Sequence, residues 1–182
     1  MEYINDMTLI ARMAIGGDKK AFDQLVRKYQ SRVRKFFLAQ TLGDSQLSDD
    51  LAQDTFIKAY THIGQFHGTS SFGTWLMRIA YNTYYDYKRR RPTPIPSLGR
   101  GDNVEPNPPL PREGSGVGLR LDILQALSIL SDSQRTCITM QLIDGRQIDE
   151  IAEITNMPLG TVKSHLKRGK DLMVQFLKSN GY

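Results

Sequence analysis

Cysteine occurs once in 182 residues, at Cys137, which excludes an internal disulfide. That residue lies in an apolar helical pattern and reads as inert core, not as a nucleophile. Histidine occurs three times. His62 and His67 lack the cysteine or carboxylate spacing of a zinc site, so no metal and no cofactor is expected. No apolar run is long enough to cross a bilayer. The segment from Met1 to Asp6 has neither the cationic start nor the apolar stretch of a signal peptide. Cytoplasmic location without membrane insertion is the matching expectation. A phosphate-binding glycine loop and a nucleophile elbow are also missing, which leaves an enzyme reading without a site.

Proline is missing from the first 91 residues. Seven of the eight prolines fall at 92, 94, 96, 106, 108, 109 and 111, in company with five glycines between 92 and 118. That stretch has no periodicity and reads as a flexible Pro/Gly-rich linker. It divides the chain into a first domain at 1–91, the linker at 92–118 and a second domain at 119–182. Charge follows the same division: net +5, −1 and +1 respectively. The cations are densest at 88–91 and 163–170, which favours a polyanionic partner.

What remains is rich in helical periodicity. A short amphipathic helix runs over 6–16 through Met7, Ile10, Ala11 and Ala14 and stops at Gly16 and Gly17. Asp18 is placed to cap the next, over 19–40, with Phe22, Leu25, Tyr29, Val33 and Phe37 inward. Ser48 or Asp49 is expected to cap a third over about 49–65, with Ala52, Thr55, Phe56, Ala59, Tyr60 and Ile63 as its inner stripe. On its other side Asp50, Gln53, Asp54 and Ile57 lie together. An isolated exposed Ile is unremarkable in itself, but among acids it also fits a docking face for a basic partner.

The fourth helix, opened by Ser70 or Ser71 and closed by Pro92 and Pro94, carries the single tryptophan. Phe72, Trp75, Leu76, Ile79, Ala80 and Thr83 share one stripe. The opposite face gathers Arg78, Tyr81, Asn82, Tyr85 and Arg89. Two readings fit that face: a platform that stacks and holds unpaired bases, or a buried Tyr/Trp core with a solvated basic end. All four helices are apolar on one side and should bundle.

Beyond the linker, Leu121, Leu124, Leu127 and Leu130 mark a helix over 119–130. Ser131 to Gln134 has capping-box spacing for another, ending near Asp144 and Gly145. A short helix over 147–154 turns at Asn156, which tolerates the left-handed conformation. Pro158 to Gly160 opens the last long helix. A short helix, a tight turn and a second helix make helix-turn-helix spacing. The first of the pair carries Asp149, Glu150 and Glu153, and the second carries Thr161, Lys163, Ser164, His165, Lys167, Arg168 and Lys170. Cations and hydroxyls at the start of the second helix suit a reader of the major groove. The fold class is therefore all-α: two small four-helix domains, the second of the helix-turn-helix type.

At this point the residues resemble a family. Asp49 to Tyr60 (DDLAQDTFIKAY) is similar to the polymerase-binding helix of sigma-70 family initiation factors. Ser71 to Asn82 (SFGTWLMRIAYN) resembles the promoter-melting helix of the group called extracytoplasmic function (ECF) sigma factors. Glu150-Ile151-Ala152 and Gly160 to Lys170 (GTVKSHLKRGK) resemble the C-terminal helix-turn-helix of the same group. Three motifs in series cover both domains in order.

The resemblance implies roles by position. Asp50, Gln53, Asp54 and Ile57 would meet the β′ clamp helices of RNA polymerase core, and the second domain would meet the β flap. His67, Gly68, Thr69, Ser70, Ser71 and Phe72 would form a pocket for a base flipped from the minus-ten element. Asn82, with Trp75, Arg78 and Ile79, would hold the opened non-template strand. Lys163, Ser164, Lys167 and Arg168, with His165, would lie in the major groove of the minus-thirty-five element. Pro158, Gly160 and Thr161 would meet phosphate at the helix start. His165 stands where the family usually has Arg, and Gly169 where it usually has Ala. An anti-sigma partner is also implied. The competing reading is a classical repressor or activator using 119–182 alone, which leaves the aromatic-basic helix of the first domain without a role.

Overall fold

The computed structural model describes residues 2–90 and 118–181. Among these residues every regular element is helical, in two four-helix regions. The first holds α1 (Glu2–Gly16), α2 (Lys19–Gln40), α3 (Ser45–His62) and α4 (Phe72–Arg90). The second holds α5 (Gly118–Ser128), α6 (Asp132–Ile138), α7 (Ile148–Thr155) and α8 (Leu159–Ser179). The expected linker lies outside the described residues except for Gly118, which opens α5.

Caps set most of these boundaries. The Asp18 carboxylate accepts from the backbone N–H of Lys20 and Ala21 at 3.0 and 3.2 Å, starting α2 as expected. The third helix starts earlier than its spacing indicates, because Asp44 and not Ser48 or Asp49 is its cap: Asp44 Oδ1 accepts from Leu47 N at 3.0 Å. Ser48 is buried inside that helix, and its hydroxyl donates to the Asp44 carbonyl at 2.5 Å. Ser71 caps α4, accepting from Thr74 N at 3.1 Å. Ser131 and Gln134 form the reciprocal capping box on α6. Asn156 ends α7 in the left-handed conformation at φ 56°.

One departure comes from the tail of α6. The helix expected to run to Asp144 widens after Ile138 into a single π turn, Thr139–Ile143. The π turn adds a residue to the last turn, and just beyond it Asp144 pairs with Arg32 and Arg146 donates to Thr74 of the first region. Gly145 then reverses the chain at φ 69°.

One apolar cluster runs through both regions. Leu25, Val33, Phe37 and Leu76 fill the first, and Leu130, Ile138, Ile151, Val162 and Leu166 the second, all nearly or wholly buried. Each such side chain contributes roughly 1.5–3 kcal/mol. The exposed ion pair Arg34–Asp49 is worth about 0–1 kcal/mol, so packing dominates. The sides of α4 explain why the regions join. α4 packs on α2 and α3, where Phe72 meets Tyr29 and Thr83 accepts from Lys58, and on the other region, above all α7, where Thr74 accepts from Arg146, Arg78 donates to Glu153 and Tyr84 donates to Asp132.

Candidate nucleic-acid and partner surfaces

The α3 outer face comes together as its spacing indicates. Asp50, Gln53, Asp54 and Ile57 are all exposed, and Ile57 keeps 54% of its surface in solvent. Among the described residues neither Asp50 nor Asp54 has a cationic partner, whereas the neighbouring Asp49 is gripped by Arg34 Nε at 2.6 Å. The result is an acidic strip around one apolar side chain on a rigid helix.

Between α3 and α4 the chain makes a 3₁₀ turn, Ile63–Gln65, and then the loop of His67 to Ser71. His67, Thr69 and Ser71 are exposed, and Gly68 and Ser70 half-buried, with Gly68 at φ 71°. The loop rests on an aromatic cluster. Phe66 meets Phe72 at 5.8 Å and Trp75 at 5.5 Å between ring centroids, and Tyr29 meets Phe72 edge-on at 5.4 Å. Phe72 is buried beneath the loop at 2% exposure, so it forms the floor of this site and does not face solvent. Trp75 and Ile79 are half-buried beside it.

The opposite face of α4 divides between the two readings the sequence left open. Arg78, Asn82 and Arg89 are exposed, but Tyr81 and Tyr85 are half-buried. Their rings lie 4.5 Å apart, and Tyr85 meets Tyr84 edge-on at 5.5 Å. Burial pushes the Tyr81 hydroxyl far above its ordinary range, with Tyr85 adding to the effect. Burial raises Tyr85 as well, while the hydroxyls of Ser133 and Thr136 on α6 pull it partly back. Arg78 Nη2 donates to Glu153 Oε1 of α7 at 3.1 Å. The face is therefore shared with the second region.

The residues that make this junction were not marked by periodicity. Arg135, 2% exposed, spends its guanidinium on helix ends: it donates to the Leu127 and Leu130 carbonyls at 3.0 and 2.9 Å and to the Gln40 carbonyl at 3.0 Å. A cation at the carbonyl ends of α5 and α2 satisfies orphan acceptors of both. Tyr84 Oη donates to the same Gln40 carbonyl at 3.1 Å, and Thr136 Oγ1 donates to Gln40 Oε1 at 3.2 Å. Lys88 pairs with Asp132 at 3.2 Å.

A second polar knot surrounds Arg146, which is 6% exposed. Its Nη1 donates to Thr74 Oγ1 at 2.9 Å and to Glu150 Oε1 at 2.8 Å, and its Nε to Asp144 Oδ2 at 2.8 Å. Asp144 also takes Arg32 of α2 at 2.5 Å. Burial alone would lower the Arg146 pKa, but Asp144 and Glu150 outweigh it and hold it above the ordinary value. Glu150 moves the other way: partial burial pushes it up, yet the Gln147 backbone N–H, the Arg146 guanidinium and the Thr74 hydroxyl bring it below the usual range. Gly73 allows this approach, since a Cβ there would lie 3.0 Å from Tyr29 Cε1 and 3.4 Å from Arg146 Nη2.

The start of α8 is free of such contacts. Pro158, Gly160, Thr161, Lys163, Lys167, Arg168 and Lys170 are exposed, with Ser164 and His165 half-buried. Among the described residues none of Lys163, Lys167, Arg168 and Lys170 has an acidic partner, although α7, immediately before the turn, is acidic. Val162, Leu166 and the buried Gly169 seat the helix on its neighbours. Gly169 has a packing reason the sequence did not disclose: a Cβ would meet Ile138 Cγ1 at 3.0 Å and Cδ1 at 3.3 Å. Cys137 is buried here, and burial pushes its thiol up to about 11.

A helix-turn-helix with unpaired cations on its second helix defines a DNA-binding protein. Residues 25–92 match the model of sigma-70 region 2, and residues 120–173 that of sigma-70 region 4. The chain is 32% identical to the RNA polymerase sigma-H factor of Pseudomonas aeruginosa over 95% of its own length and 94% of that protein's. It is 33% identical to the ECF RNA polymerase sigma-E factor of Escherichia coli, over 93% of each. The sigma factor RpoE of Bartonella quintana, solved in complex with the anti-sigma factor NepR, has a similar structure: TM-score 0.69 and 26% identity, covering 87% of this chain and 98% of that one. The chain belongs to the extracytoplasmic function group of the sigma-70 family, the factors that direct RNA polymerase to initiate transcription at promoters. Among the described residues no helix is long and apolar enough to cross a membrane.

Proposed function

We propose that this chain divides initiation among three surfaces and works by binding alone, without catalysis. The α3 strip of Asp50, Gln53, Asp54 and Ile57 docks on the β′ clamp helices of RNA polymerase core. The loop from His67 to Ser71, floored by Phe72, takes a base flipped out of the minus-ten element, and Trp75, Arg78, Ile79 and Asn82 hold the opened strand. The α8 start, from Pro158 to Arg168, lies in the major groove at the minus-thirty-five element, and the second region also meets the β flap. An anti-sigma protein restrains the chain in the cytoplasm.

The observation that carries this reading is the pairing, in one chain, of an unpartnered acidic strip around an exposed Ile with an unpartnered basic helix start. The first suits a basic protein partner and the second suits DNA. The energetics explain why polymerase is needed. Unstacking a base costs a few kcal/mol. Stacking on an aromatic side chain returns about 1–3 kcal/mol. The two DNA grips gain effective concentration only once polymerase fixes their separation.

The test is a titration of fluorescent core polymerase with the intact chain and with Asp54→Lys. Reversal of charge should weaken core affinity by at least about tenfold, or 1.4 kcal/mol, with the fold intact by circular dichroism. Unchanged affinity would remove the docking assignment.

A further inference from the structure

We propose that the cleft between α2 and the π turn is a binding site for a small organic phosphate, held by Arg32, Lys35 and Thr139. The cleft has a volume of about 280 Å³, near the lower end of small-molecule sites.

Its lining is rich in donors that the chain leaves unused. Arg32 has one polar partner among the described residues, Asp144, reached through Nε at 2.5 Å, so both terminal nitrogens of its fork stay available. The side chains of Ser31 and Lys35 are exposed at the same cleft, and neither has a polar partner among the described residues. Thr139 lies opposite, on the π turn. It is 1% exposed, and its hydroxyl has no hydrogen-bond partner. The buried helical residues Thr55 and Thr155 each donate to the carbonyl four residues back, at 2.8 and 2.7 Å. Thr139 makes no such bond. A buried hydroxyl left without a partner costs free energy, and an acceptor in the cleft it lines would recover it.

The acceptors, by contrast, are spent. Asp144 is gripped on both oxygens, Oδ1 by Arg32 and Oδ2 by Arg146 Nε at 2.8 Å. Lys28, also at the cleft, holds Asp6 at 2.6 Å. Lys28, Arg32 and Lys35 outnumber Asp144 and Asp6, so the site keeps positive charge after its internal pairs are counted.

Unused donors, spent acceptors and surplus positive charge select an anion. The donors come from two elements that face each other across the cleft. A phosphate, with acceptor oxygens pointing apart, can meet both sides, whereas a carboxylate offers two oxygens in one plane. The space exceeds what one phosphate fills, and Phe36 and Ile143 add apolar lining, which leaves room for a small organic group beyond it. The lining belongs to both regions, so a bound phosphate stabilises their packed arrangement and raises the thermal midpoint.

The experiment titrates the full chain with inorganic phosphate, pyrophosphate, adenosine diphosphate and guanosine diphosphate, read by calorimetry and by the thermal midpoint. Saturable binding of one ligand per chain is expected, tightest for an organic probe. Lys35→Glu should weaken it at least about tenfold, and Thr139→Val, which removes a hydroxyl and keeps the shape, about tenfold as well. Lys20→Glu makes the same charge change at the other end of α2, where the side chain is exposed, and should alter affinity less than about twofold. No saturable binding of any probe up to millimolar concentration would overturn the site. Equal losses in Lys20→Glu and Lys35→Glu would also overturn it, since they would mean diffuse attraction to a basic surface. If Thr139→Val does not fold, Lys35→Glu and Lys20→Glu decide alone. The DNA backbone offers the same phosphate chemistry, so a short duplex is added to the loaded chain: retention of the small ligand supports the proposal, and its stoichiometric displacement would assign these donors to DNA instead.

Discussion

Arg146 and Thr74 stand 72 residues apart in the chain, and Arg146 Nη1 donates to Thr74 Oγ1 at 2.9 Å with both side chains buried. The bond joins the first turn of the helix with the promoter-melting resemblance to the loop that opens the helix-turn-helix. It makes the two halves of a DNA reader answerable to each other before any DNA is present.

The charge knot around that bond sets a pH dependence. The folded pKa of Glu150 is lowered from the ordinary 4.5, chiefly against its own partial burial. A carboxyl lowered by folding stabilises the folded arrangement in full above its ordinary value, and that contribution disappears as pH falls through the lowered one. The distance between regions should therefore be flat from about pH 8 to about pH 5 and lengthen only in stronger acid. Glu150→Gln should lengthen it at neutral pH. Spin-label distances across the pH series check both.

Gly169 offers a test of packing against propensity. Ala in place of Gly inside a helix gains about 1 kcal/mol. Here the added Cβ would meet Ile138 Cγ1 at 3.0 Å, with Ile138 itself 1% exposed, and overpacking costs about 1–3 kcal/mol. Gly169→Ala should lower the thermal midpoint by about 2–4 °C. Calorimetry reads the sign, and a higher midpoint would mean that Ile138 yields.

Cys137 serves as a reporter. With its pKa near 11 and its side chain buried, almost no thiolate meets solvent at neutral pH. A chromogenic disulfide reagent should leave it untouched in the native chain and modify it at the rate of unfolding in denaturant. Fast labelling without denaturant would place it on a labile surface instead.

The α8 start should behave as a phosphate- and base-contacting element. Lys167→Ala and Arg168→Ala are each expected to leave the fold intact, since both side chains are exposed and unpaired. If one of them contacts phosphate, its loss should weaken duplex binding across sequences and reduce the slope of log affinity against log salt by about 1. If it reads a base edge, its loss should relax preference at one position by about 1–3 kcal/mol. Titrations at several salt concentrations on a set of minus-thirty-five variants separate the two roles.

Much of this was legible in the chain, for reasons tied to particular residues. Asp18, Ser71 and the Ser131–Gln134 box end helices through local bonds, so sequence spacing suffices to find them. Asp44 was missed because Thr41, Asp44 and Ser48 all bond locally, and only coordinates reveal that Ser48 faces inward. Along α4 one apolar stripe was evident, while Thr74, Met77 and Tyr84 form a second that mixes polar and apolar side chains and carries no clear period. Arg135 and Arg146 were invisible for a related reason. A buried arginine is stable only where carbonyls and carboxylates from distant segments converge, and nothing local announces that convergence. The α3 strip and the α8 cations were found because exposed, unpaired charge depends on one helix alone.

The central claim is that this polypeptide, joined to core polymerase, opens promoter DNA. Permanganate footprinting of thymines on a promoter library, with purified core polymerase and the intact chain, measures it most directly. A reactive patch at the minus-ten element should appear only when both proteins are present and should fade with Trp75→Ala. A core-bound chain that opened no template in the library would contradict the account.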